Sequence, residues 1–113
     1  MKMHYLNSPA TELQIKEMTE ALETRIKFAV DIERHVAVGG GEFHADCEQE
    51  LLRRGSSQAD IWGADFVVGS RQFVFDALIN LSPVRQNPSM LIIDPKVRRR
   101  VELILRELLP QDE

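Results

Sequence analysis

Cysteine, tryptophan and tyrosine occur once each in this chain, and aromatic residues make up 6% of its 113 positions. A lone Cys47 excludes an intramolecular disulfide, so no covalent framework can stand in for a packed core. Long apolar runs are missing. None approaches the roughly 20 residues of a membrane-spanning helix, and the opening M-K-M-H-Y-L-N-S-P lacks the apolar centre of a signal peptide. A basic surplus is missing too: 14 Lys and Arg against 18 Asp and Glu leave a net charge of −4, which argues against nucleic acid or an anionic membrane as partner. Together these absences point to a protein of the reducing cytoplasm with no membrane association.

The hydrophobic content of 43% is enough for one core, and the expectation is a single domain over residues 1–113 that buries about 65% of its unfolded surface. Thr11-Glu12-Leu13-Gln14 reads as a capping box, with Ser8-Pro9 as an alternative start, and Ile15, Met18 and Leu22 supply an apolar stripe behind it. From Ile26 the period becomes two. Ile26, Phe28, Val30 and Ile32 alternate with polar or small residues, and Val36 and Val38 resume the alternation. A three-residue turn, Glu33-Arg34-His35, places Ile32 opposite Val36 and Val30 opposite Val38, with His35 in the left-handed position that closes such a turn.

Gly39 to Gly41 form neither a phosphate loop nor a dinucleotide fingerprint, and read as a bend at a strand end. A short helix follows, with Asp46 as N-cap, Gln49 completing a second capping box and Gly55 as the stop. Trp62, Ala64 and Phe66 then alternate toward Gly69-Ser70, and Phe73, Phe75, Ala77, Ile79 and Leu81 alternate away from it. A two-residue turn there pairs Phe66 with Phe73, Ala64 with Phe75 and Trp62 with Ala77. Ser82 to Ile93 reads as a long loop containing Arg85 and Asn87. Asp94-Pro95 opens a last helix whose stripe is Val97, Val101, Ile104, Leu105 and Leu108, ended by Pro110. The fold class is therefore α+β: two β-hairpins in an antiparallel or mixed four-stranded sheet, with an N-terminal, a short middle and a C-terminal helix. With the helices on one face, Ala29, Val67, Val74 and Leu78 are left on the other, where a second subunit is expected to cover them.

The segments V-D-I-E, G-G-E-F-H-A-D-C-E, L-L-R-R-G-S-S-Q-A-D-I-W-G, F-D-A-L-I-N-L and D-P-K-V-R resemble a small bacterial family known as the domain of unknown function numbered 5674. The likeness spans about Val30 to Arg106 and implies no activity, cofactor or partner. In the family pattern the segment after I-N reads R-P and then N-R-S. Here Leu81-Ser82-Pro83 and Asn87-Pro88-Ser89 depart from it, so the resemblance supplies no arginine at those positions, although Arg85 lies near.

Glu42, His44 and Asp46 are the densest polar constellation. If the chain is extended there, every second residue falls on one side, and an imidazole between carboxylates can serve as a general base or as part of a divalent-metal site. Glu48, and Asp65 or Asp76 from the second hairpin, are the residues placed to support it. No H-x-H, H-E-x-x-H or paired-cysteine spacing supplies a recognisable metal ligand set. A structural account competes: Asp46 caps the helix and His44 bonds to a turn. Ser56 and Ser57 lack the nucleophile-elbow context, and Cys47 reads as a small buried thiol.

Lys96, Arg98, Arg99 and Arg100 crowd the start of the last helix, where cations are disfavoured unless an anion meets them. The preferred explanation is pairing with Glu102 and with acidic residues of the first helix or of a second subunit. Arg85, Asn87, Arg98 and Arg99 are the corresponding binding candidates. The expected function is that of a small cytoplasmic, non-enzymatic interaction or regulatory module that forms a homo-oligomer, accepts a protein partner and needs no cofactor. The competing expectation is a small hydrolase-like enzyme, metal-dependent or acid/base, centred on Glu42, His44 and Asp46, with a divalent metal as its cofactor.

Overall fold

The computed structural model describes residues 2–75 and 94–109. The expected loop with Arg85 and Asn87, the strand positions Asp76 to Leu81 and the stop at Pro110 lie outside the described residues.

The elements run β1 (His4–Leu6), α1 (Glu12–Met18), β2 (Arg25–Asp31), β3 (Val36–Gly41), α2 (His44–Arg53), a single 3-10 turn (Gln58–Asp60), β4 (Ile61–Val67), β5 (Gln72–Val74) and α3 (Pro95–Leu108). The fold is α+β. Among the described residues the sheet has five strands in the order β1-β3-β2-β4-β5, every neighbouring pair antiparallel. The additional strand over the expected four is β1, three residues long and too short to show an alternation in sequence.

Capping chemistry sets the helix starts. Thr11 Oγ1 accepts from the Gln14 amide at 3.1 Å, and the Gln14 side chain accepts from the Thr11 amide at 2.9 Å, the box expected for α1. Asp94 accepts from the Lys96 amide at 2.9 Å, and Pro95 begins α3. For α2 the start differs from expectation: the helix begins at His44, with Phe43 at the cap position, and Asp46 lies in the first turn, accepting from the Phe43 amide at 3.2 Å.

Both hairpins close through four-residue loops. In the first, Asp31 pairs with Val36 and Val30 with Ala37, one step from the expected register. Asp31 Oδ1 accepts from the amides of Glu33 and Arg34 at 2.9 Å each, which makes Ile32 part of the loop. His35 is left-handed as expected, with φ of 58°. The one-step shift turns Val36 and Val38 to the opposite face from Val30. In the second hairpin Phe66 pairs with Phe73 as expected, but the loop spans 68–71 and its left-handed residue is Arg71, at φ of 56°, not Gly69. β3 also carries a bulge. Lys27 pairs with Gly41 and Phe28 with Gly39, leaving Gly40 over at φ of 101°, where a Cβ would collide with the Lys2 carbonyl.

The helices are divided between the two faces of the sheet, not gathered on one. Phe28, Val30, Ala37, Trp62, Ala64 and Phe66 face α1 and α3, whose Met18, Val101, Ile104 and Leu105 complete the larger core; Phe73 and Phe75 pack partly buried against it. Ala29, Val36, Val38 and Ile61 face α2, which contributes Cys47 and Leu51. Ala29, expected at a subunit contact, is therefore buried beneath α2; Val67 is half-buried, Val74 is exposed, and Leu78 lies outside the described residues.

Candidate functional site

The polar centre of the molecule forms where the N-terminus of α2 meets β2 and β4. His44, Cys47 and Leu51 follow one another at spacings of three and four and form the buried stripe of α2. Because the helix begins at His44, the imidazole joins that stripe and points onto the sheet instead of alternating with Glu42 and Asp46 along a strand. Asp65 is on the α2 side of β4, directly across from Lys27 on β2.

His44 Nε2 lies 2.6 Å from Asp65 Oδ1, both side chains 3% exposed. The other carboxylate oxygen, Oδ2, accepts from Arg25 Nη1 at 2.7 Å and is 3.7 Å from Lys27 Nζ. Burial pushes the Asp65 carboxyl upward. The hydrogen bond and charge of His44, with Lys27 and Arg25, outweigh that and hold it below the ordinary carboxylate range. One turn along α2, the Cys47 thiol donates to the Lys27 carbonyl at 3.5 Å, and burial pushes it up to about 11. A thiol so held stays protonated near neutrality and is a poor nucleophile.

Of the three expected site residues, only His44 enters this cluster through the bonds described above. Glu42 is exposed beyond the end of β3, and Asp46 turns back to the Phe43 amide. Among the described residues no group of three or more His, Cys, Asp or Glu is placed to hold a metal ion. The carboxylate from the second hairpin that was expected to support His44 is Asp65. Sequence reasoning missed Arg25 and Lys27 as its partners, although they precede Ala29 on the same strand face and so carried a signal.

A second polar region lies along α3. Arg100 donates to the Ile32 carbonyl at 2.8 Å and pairs with Glu33 at 3.2 Å; Arg106 pairs with Glu102 at 2.8 Å. Arg98 and Arg99 are exposed, and with Lys96 they have no ion-pair partner among the described residues. The expected pairing with Glu102 is thus taken by Arg106. Between this helix and the first hairpin loop lies a cleft of about 150 Å³ lined by His35, Arg100, Leu103, Ile104 and Glu107.

The family model described as a protein of unknown function, DUF5674, matches residues 4–108. The chain belongs to this family. The DUF5674 match runs from the first residue of β1 to the last of α3, so both the His44 cluster and the basic stretch of α3 fall inside it. Neither the curated proteins nor the solved structures contain a match to this chain. No helix among the described residues of this DUF5674 chain is long and apolar enough to cross a membrane.

Proposed function

We propose that the chain is a single-domain, non-enzymatic interaction module of the cytoplasm that self-associates. The observation that carries the non-enzymatic part of this reading is the closure of the His44–Asp65 pair. An acid/base or nucleophilic site must present its reactive atom to a substrate. Here the imidazole and carboxylate are 3% exposed, and both carboxylate oxygens already accept hydrogen bonds. The pair acts as a latch that holds the first turn of α2 against β4. The free buried thiol and the acidic net charge fit a reducing, aqueous compartment. The hydrolase-like alternative centred on Glu42, His44 and Asp46 requires those groups to converge on an open pocket, and the described cleft is lined by other residues.

Diethylpyrocarbonate modification followed by mass spectrometry tests the reading. His35 is exposed and should react rapidly, whereas His44 should react only under unfolding conditions. A His44 modified as fast as His35 in the folded protein would return the enzyme reading to first place.

A further inference from the structure

The layer formed by α1 and α3 carries unmatched charge of both signs and two exposed leucines. On α3, Leu103 is 48% exposed and stands four residues after Arg99 and seven after Lys96, so the three share one stripe. On α1, Leu13 is 64% exposed, and Glu17 and Glu20 follow it at spacings of four and three along the helix and the turn after it. Glu17 is bound by Lys2 and His4, and Lys16 is the one cation of this helix. Glu12 and Glu20 are exposed and, like Lys96 and Arg99, form no ion pair among the described residues, although Glu20 lies near enough to Lys2 to help raise that amine's pKa.

We infer that this layer is the surface through which two copies of the chain associate, α1 of each lying against α3 of the other. The inference rests on the self-association proposed above and supplies its surface. Charge complementarity selects the occupant: a basic stripe with an apolar centre, on an acidic chain, has its complement in the chain's own acidic α1 with Leu13. Pairing within one molecule is out of reach for Glu12. Ala10 donates to the Leu108 carbonyl at 2.8 Å, which places the start of α1 at the end of α3, about 14 Å along the helix axis from Arg99. Since both helices belong to one layer, a twofold axis through it satisfies the two stripes at once and removes Leu13 and Leu103 from water in both copies.

Sedimentation velocity over a broad concentration range, at low and high salt, tests the inference. The parent chain should dimerise, more weakly at high salt. Arg99→Glu and Glu20→Arg should each weaken the dimer about tenfold or more, and the double variant should recover it, since reversal on both sides restores the complement. Leu103→Ser should weaken it without changing the salt dependence, and thermal melting should find all four variants folded. A parent chain that remains monomeric overturns the self-association reading itself. A dimer indifferent to all the substitutions leaves that reading standing and overturns this surface; loss in the single variants without recovery in the double overturns the pairing of α1 with α3.

Discussion

Asp65 keeps a charge in a buried position because three groups meet it: His44 on one oxygen, Arg25 and Lys27 on the other. Its carboxyl is held below the ordinary range when folded, so the unfolded chain takes up the proton first. The stability this group contributes is complete above about pH 4 and is lost as the pH falls through the lower folded value. Asp65→Asn should therefore flatten the acid limb: urea midpoints between about pH 6 and pH 2 should decline less steeply than in the parent. Equal slopes would mean that the carboxylate is not held low. Cys47 offers an independent check on the same corner. With its thiol pushed up to about 11 and buried, it should resist iodoacetamide in the folded protein at mildly alkaline pH and react promptly in urea. Part of this corner is readable from residue types and spacing: a second-hairpin carboxylate, Asp65 or Asp76, beside His44, and a buried Cys47. The misplaced part is the alternation of Glu42, His44 and Asp46. Its period of two competed with the three-and-four spacing of His44, Cys47 and Leu51, and the backbone resolves the contest by starting the helix before Asp46 reaches the cap.

At the scale of elements, the two hairpins use one solution. Each loop has four residues, closes through an amide of the last residue bonded to the carbonyl four back, and places that last residue in the left-handed region: His35 to Asp31 at 3.0 Å, Arg71 to Val67 at 2.8 Å. A side chain there carries a steric cost that glycine lacks. His35→Gly should stabilise the protein by roughly 0.5–1 kcal/mol in chemical denaturation. Arg71→Gly should yield less, because the guanidinium lies 5.4 Å from the centre of the Phe66 ring and that contact is lost. A loss of stability in His35→Gly would mean that the imidazole contributes more at the cleft than its backbone costs. The alternation of the strands and the left-handed His35 could be read in advance; the loop lengths could not. The Asp31 side chain, by accepting two loop amides, draws Ile32 out of the strand, and such a local bond leaves no periodic signal. Gly69-Ser70 looked like a complete turn for the converse reason, since its composition suited a tighter hairpin with the same Phe66–Phe73 register.

At the scale of the whole molecule, the described residues form one sheet between two unequal layers. Among the described residues, the side under α1 and α3 holds 16 buried residues and the side under α2 holds 6, so apolar burial binds α2 less strongly than it binds the central strands to α1 and α3. How helices distribute between faces is the property least visible in the sequence. It depends on which way Val36 and Val38 turn, and a one-step change of register reverses that. With α2 on the smaller core, the His44–Asp65 latch becomes the main polar tie of its first turn to the sheet. Amide exchange in the native state should then find α2 opening at a lower free energy than β2 and β4, which should exchange only on global unfolding. His44→Ala should remove an interaction worth about 1–3 kcal/mol, because it leaves a buried carboxylate oxygen without its partner. Part of that loss should appear in α2 selectively, lowering its opening free energy more than that of the α3 amides. If α2 and β2 exchange at the same free energy in both proteins, the two layers unfold together, and the His44 pair stabilises the whole sheet instead of one helix.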